Sequence, residues 1–264
     1  MSLHRLGPFP SVTVLGVRVH SASRKDLVDY AVQAAVSKNR VVIANVNVHA
    51  LNLACELPYL RKFFNSAEIV FCDGFGVALA TRLLGQTPPK RLTPPDWVPE
   101  LARAAQTRNL SLYLLGSRVG VADEAAQRLL LQFPGLRIAG THHGYFDKTH
   151  SSAESEAVVD AINAARPDIL LVGFGMPLQE RWMMENRGRL QVNVAIPVGA
   201  LFDYLAGEVP RAPRWMTDHG LEWLGRLVVE PRRLWRRYLI GNPIFLWRVL
   251  KQRAALVCLD QQHE

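Results

Sequence analysis

LSLYLLGSRVGVADEAAQRL, residues 110–129, sets an apolar run of strand length against a short Gly-containing turn, followed by a segment with apolar residues at helical spacing. Val119, Ala122, Ala126 and Leu129 fall on one stripe of that segment, so the stretch reads strand, turn, amphipathic helix. The same alternation extends in both directions. VTVLGVRV (12–19), VVIANV (41–46) and EIVFCD (68–73) precede it as strand-like runs. LRIAG (136–140), DILLVGFG (168–175) and VNVAIPVG (192–199) follow it, with a further helical segment at 153–165. Most of these runs are continuously apolar, as strands buried on both faces are. The expectation is an α/β fold, a Rossmann-like wound sheet with flanking helices. After Gly199 the strand signal stops, which divides the chain into an α/β core over 1–207 and a helical, basic C-terminal appendage over 208–264.

The appendage carries most of the charge. Between Arg211 and Arg253 stand nine Arg and one Lys against Asp218, Glu222 and Glu230, which is +7 of a formal net charge of +8. Trp215, Trp223, Trp235, Trp247, Tyr238 and Phe245 are interleaved with them. Guanidinium groups beside amphipathic rings suit phosphate next to something apolar: nucleic acid, anionic lipid headgroups, or a lipid-linked pyrophosphate. The apolar residues Leu224, Leu227, Val228, Leu234, Leu239 and Ile240 in the same stretch need a core or a bilayer, which argues against nucleic acid. No run reaches the roughly 20 apolar residues of a spanning helix. YLIGNPIFLWRVL is short and is interrupted by Gly241, Asn242 and Pro243, so membrane contact is expected to be peripheral. The N-terminus has no secretory pattern, and Cys55, Cys72 and Cys258 have no CxxC spacing, which suits a reducing cytoplasmic setting without a disulfide framework or zinc site.

In open α/β sheets ligands bind beyond the carboxyl ends of the strands, which makes the polar residues there the candidates. Asn45 and Asn47 end one run and Asp73 with Gly74 ends another. A strand-end carboxylate followed by Gly74 and Gly76 can accept a proton from a closely approaching hydroxyl, though an Asp-Gly turn or a helix cap explains the same residues. Gly116, Ser117 and Gly120 could offer backbone N–H groups to a phosphate, but they lack the GxGxxG and GK[ST] spacings of dinucleotide and NTP sites. In GFGMPLQERW (173–182), Gly175, Pro177, Gln179 and Glu180 open a helix; Gln179 could donate to a base or sugar hydroxyl, or Glu180 could simply favour the helix N-terminus. His142 and His143 read as exposed loop side chains, and His49 and His219 as uninformative.

Eight blocks in order carry a resemblance: NVHAL (47–51), DGFG (73–76), RLTPPD (91–96), LLGSRVGVA (114–122), GFGMPLQERW (173–182), GALFDYLAG (199–207), RAPRW (211–215) and GLEWLGRLVVEPRRLWRRY (220–238). Together they resemble the WecG/TagA/CpsF glycosyltransferases over residues 12–250 or so. The resemblance implies inverting transfer of a sugar, without a metal or other cofactor, from a nucleotide-sugar donor to a lipid-linked pyrophosphate saccharide acceptor. It places the protein peripherally on the cytoplasmic face of the membrane; from the basic, apolar C-terminal stretch the expected partner there is the anionic membrane surface and not nucleic acid, and a homo-oligomer is left open. Asp73 corresponds to the base, Asn47 to the Asn 26 residues before it, and Arg91 to the Arg after the DG block. Gln179 corresponds to the family's Gln, and Arg226, Arg233 and Arg236 to its C-terminal arginines. This chain departs from the pattern with Asn45 where Thr is common, and with Pro94 or Pro95 where a Gly precedes Asp96. A binding module for phosphate or nucleic acid, or an inactive scaffold of the same fold, are the competing readings. The donor sugar stays open among N-acetylmannosamine, glucuronic acid, glucose and galactose.

Overall fold

Leu15 and Gly16 set the first element of the structure. Both have positive φ, 49° and 77°, the geometry of a two-residue hairpin turn whose twist matches its strands. The run at 12–19 is therefore not one strand but two antiparallel ones, β1 (Ser11–Val14) and β2 (Val17–His20). The computed structural model describes residues 9–211, 213–218 and 220–260, without the side chains of Arg214, Asp218, Glu222, Arg226, Arg233, Leu259 and Asp260.

Within those residues the chain continues through α1 (Arg24–Val36), β3 (Val41–Val46), α2 (Val48–Glu56), α3 (Pro58–Ser66), β4 (Ile69–Cys72), α4 (Phe75–Leu83) and α5 (Pro94–Thr107). Then come β5 (Ser111–Gly116), α6 (Val121–Gln132), β6 (Arg137–His142), α7 (Ala153–Ala165), β7 (Ile169–Gly173), α8 (Leu178–Asn186), β8 (Val194–Pro197) and α9 (Leu201–Leu205). The remainder is helical: α10 (Arg214–Asp218), α11 (Glu222–Val229), α12 (Pro231–Trp235), a π-helical turn (Arg236–Ile240) and α13 (Gly241–Asp260).

Among the described residues the strands form one sheet in the order β1-β2-β4-β3-β8-β7-β5-β6, parallel except for the β1–β2 hairpin. β3, β4, β5, β7 and β8 are buried along their whole length, which is why they read as unbroken apolar runs. One core on one face joins α1, α5, α6 and α9 to the sheet; a second on the other face joins α2, α3, α4, α7, α8 and α13. The α/β wound sheet expected from the sequence is thus the fold of the protein. Val119 is the exception on its stripe. Gly120 caps α6 in the left-handed region at φ 82°, so the helical period starts at Val121, and Val119 stands in the turn at 74% exposure while Ala122, Ala126 and Leu129 are buried.

The Gly241-Asn242-Pro243 sequence does not interrupt the chain's last helix. Pro243 lies in the first turn of α13, just after the π-helical turn, where the wider winding absorbs the missing N–H. α13 is fastened to the core by Phe245 and Val249, both buried. Arg248 donates to the Asn52 carbonyl (2.9 Å) and Oδ1 (3.1 Å) and to Glu56 (2.9 Å). Gln252 bonds the Leu15 N–H (2.9 Å) and the Thr13 carbonyl (3.1 Å). Arg248→Ala is expected to cost about 1–2 kcal/mol of unfolding free energy. In hydrogen exchange it should open 241–260 well before the sheet; unchanged exchange in α13 would count against this anchoring.

Candidate active site

The carboxyl ends of β3, β4, β7 and β8 open into a cleft of about 620 Å³. Asn45, Asn47, Asp73, Gly74, Arg91, Gly175 and Gln179 all line it, although as many as 134 residues separate them in sequence, from Asn45 to Gln179. The register of β3 against β4 brings the first four together. The Asp73 N–H donates to the Val46 carbonyl at 2.8 Å, continuing the parallel ladder one residue past β4. Asn47 then caps α2, its Oδ1 accepting the Ala50 N–H at 3.1 Å, while its Nδ2 faces Asp73 Oδ2 at 3.5 Å. Asp73 precedes Gly74, the N-cap of α4 at φ 138°. A Cβ on Gly76 would stand 2.4 Å from Val48 Cγ2, so glycine there lets the N-termini of α2 and α4 converge on the cleft. Next to Asp73, burial, reinforced by the Asp73 charge, pushes the Cys72 thiol up to about 12, which keeps it neutral.

Asn45 is a strut rather than an open donor: it is buried, and its Nδ2 donates to the Pro197 carbonyl of β8 at 2.7 Å. Gln179 has a similar part. Its Oε1 accepts the N–H groups of Gly175 and Gly199, each at 3.2 Å, and its Nε2 donates to Glu180 Oε1 at 2.7 Å. The Gln179 Oε1 thus joins the loops after β7 and β8, while the Nε2 anticipated as a donor to base or sugar has one bond to Glu180. Glu180 is fully buried and Oε2 has no partner; burial raises its carboxyl to about 7.

Arg91 is held by a cluster that the spacing of RLTPPD only hinted at. The Leu92 N–H donates to the Cys72 carbonyl at 2.8 Å, laying residues 91–93 along the end of β4. Arg91 stands 3.9 Å from Asp96, which also accepts from Thr93 Oγ1 (2.7 Å) and pairs with Arg211. Burial alone would raise the Asp96 carboxyl, but hydrogen bonds from Arg211 and Thr93 and the Arg91 charge outweigh it and hold it below the usual carboxylate range.

The basic C-terminal stretch contributes another wall of the cleft, through Trp223, Arg237, Tyr238 and the first turns of α13. Arg237, not Arg236, faces the cavity; Arg236 is exposed, its guanidinium 5.2 Å from the Trp235 ring. The side chains of Arg226 and Arg233 lie outside the described residues, as does His219. His49 also lines the cleft, and burial, helped by Arg237, lowers it to about 4, so it is neutral there.

Gly116, Ser117, Gly120, Pro177 and Glu180 are not among the residues lining this cleft. A Cβ on Gly116 would meet the Gly173 carbonyl oxygen at 2.4 Å, the Ser117 N–H donates to that oxygen at 3.0 Å, and its hydroxyl donates to Asp203 at 2.6 Å. The turn thus fastens β5 to β7 and α9. His142 and His143 are half-buried rather than exposed, ring against ring at 4.5 Å with Phe146 beyond. Among the described residues no group of three or more His, Cys, Asp and Glu side chains is arranged to hold a metal ion.

The strand ends and the C-terminal helices together bring a carboxylate, an amide and two arginines to one cleft. The chain belongs to the glycosyl transferase WecG/TagA/CpsF family, whose model matches residues 12–257. It is similar to the N-acetylglucosaminyldiphosphoundecaprenol N-acetyl-beta-D-mannosaminyltransferases of Staphylococcus aureus strains NCTC 8325 / PS 47, COL and MW2. Each is 29% identical over 244 residues, 92% of this chain and 93% of the relative.

For Glu180 the folded carboxyl titrates near 7, above its unfolded value of 4.5. Between those values the native state holds a proton that the unfolded state has lost, so stability falls as pH rises through that window and then levels off. Glu180→Gln should flatten this slope in urea unfolding compared at pH 5 and pH 8; an unchanged slope would show that Glu180 is not its source.

Proposed function

We propose that the protein transfers a sugar from a UDP-sugar to a polyprenyl-pyrophosphate-linked saccharide, inverting the anomeric centre, at the cytoplasmic face of the membrane. The observation that carries this reading is Asp73 at the cleft, faced by Asn47 and accompanied by Arg91 and Arg237. The relatives' names supply the acceptor class, an N-acetylglucosaminyl diphosphoundecaprenol, and the transferred N-acetylmannosaminyl group.

The Asp73 carboxylate accepts the proton of the acceptor hydroxyl while the acceptor oxygen bonds to the anomeric carbon. The bond from that carbon to the donor's diphosphate breaks on the opposite face, and its electron pair leaves on UDP. Asn47, fixed by its capping bond, steadies the Asp73 carboxylate. Arg91, with the converging N-termini of α2 and α4, suits the charge that grows on the donor's diphosphate. Arg226, Arg233 and Arg236 remain proposed partners for acceptor phosphate or lipid headgroups.

Membrane docking is supported by the outer surface of the C-terminal helices. Trp215, Val228, Trp235, Leu239, Ile240 and Trp247 are exposed, with Arg232, Arg236 and Lys251 beside them. Lys251 Nζ sits 4.7 Å from the Trp247 ring centroid, which joins a cation to an amphipathic ring as an interfacial surface does. No described helix is long and apolar enough to cross a membrane.

Assayed with a panel of UDP-sugars and a short polyprenyl-pyrophosphate N-acetylglucosamine acceptor, Asp73→Asn should lower turnover by about 10²–10⁴-fold with little change in donor KM. Undiminished turnover would remove Asp73 as the base, and no transfer by wild type from any donor would overturn the reading. Trp235→Ala with Trp247→Ala should weaken flotation with anionic liposomes; unchanged flotation would move the docking surface elsewhere.

A further inference from the structure

The cleft has a second half, and its chemistry differs from the first. From Phe75 the lining follows α4 away from Asp73 through Leu79, Ala80 and Leu83, and its opposite wall is α13, through Phe245, Leu246 and Val249. Among the described lining residues of these two helices none is charged. Ala80, Phe245 and Val249 are buried, whereas Leu79 and Leu246, one on each helix, are open at 43% and 42% exposure. From Phe75 to Leu83 this trough runs about 12 Å at the helical rise of ~1.5 Å per residue. Arg237 and neutral His49 line the same cavity with Asp73 and Arg91, so an apolar channel continues directly from a cationic pocket.

Water leaves such a surface at a gain, and a nucleotide or a sugar has nothing apolar of that length to put there. We infer that the α4–α13 trough binds the first isoprene units of the acceptor's lipid carrier, with the adjoining pyrophosphate at Arg237. The assignment rests on the lipid-linked acceptor of the proposed function, and it adds that the protein reads the lipid itself rather than only meeting it at the membrane. The length of the trough suits the beginning of a polyprenyl chain, whose remainder would pass out between Leu79 and Leu246 toward the exposed Trp and Leu side chains of the C-terminal helices.

The test needs no sugar transfer. Binding of farnesyl diphosphate, below its micellar concentration, and of inorganic pyrophosphate is measured on the full chain by calorimetry and by the fluorescence of its tryptophans. Wild type is expected to bind farnesyl diphosphate at least ~10-fold more tightly than pyrophosphate, equivalent to about 1.4 kcal/mol, and excess pyrophosphate should displace it. Leu79→Gln and Leu246→Gln, both at exposed positions and so expected to fold, should each remove most of that preference while leaving pyrophosphate affinity unchanged. Equal affinity for the two probes in wild type would overturn the assignment, as would a preference that survives both substitutions or farnesyl diphosphate that pyrophosphate cannot displace. Loss of the transfer reading with the prenyl preference intact would leave the trough as a prenyl-diphosphate site, so the two failures are distinguishable.

Discussion

The parallel registry of β3 between β4 and β8 is the constraint on which the cleft depends. It sets Val46 opposite Cys72, so the Asp73 N–H closes one further ladder bond and the Asp73 carboxylate emerges beside Asn47. On the other side the Asn45 amide bonds the Pro197 carbonyl, tying β3 to the strand that leads into Gly199. A slip of one residue would reverse the faces of Asn45 and its neighbours, burying a polar group without its partner and turning apolar residues toward the cleft. Chemistry and core packing therefore share one registry, and neither can shift without the other.

Around that registry the charges are arranged as a graded path. Asp96, ionised because Arg211 and Thr93 bond it and Arg91 lies near, draws a residue of the C-terminal stretch onto the rim of the core. Arg237 arrives from the other side through the π-helical turn, which adds a residue to one winding and so brings Arg237 rather than Arg236 to the cavity. The same stretch turns Trp235, Leu239 and Ile240 outward. One basic segment can thereby serve phosphate inside and an interface outside, a division of labour that net charge alone does not express.

Several polar residues at or near the cleft hold its architecture together. Gln179 satisfies backbone N–H groups of two loops, and Ser117 donates its N–H to the Gly173 carbonyl and its hydroxyl to the Asp203 carboxylate; in a buried setting such groups would be costly if left unpaired. A strand-end Gln or Ser looks the same in sequence whether its partners are a substrate or a neighbouring turn. That ambiguity explains why Asp73 and Asn47 were legible as a pair at one sheet edge while the commitments of Asn45, Gln179 and Ser117 were not.

What the sequence determined by itself is the layered α/β sheet, since buried parallel strands must be apolar throughout and amphipathic helices must cover them. It also marked the strand ends where a ligand would sit and the family to which the chain belongs. Only the tertiary structure decided that residues 12–19 fold back as a hairpin, that Gly241-Asn242-Pro243 continues a helix, and that Arg211 pairs with Asp96 across 115 residues. It likewise decided that Arg237 rather than Arg236 lines the cleft and that α4 and α13 meet in an apolar trough. Each of these depends on packing between segments far apart in the chain, and local periodicity carries no record of such distances.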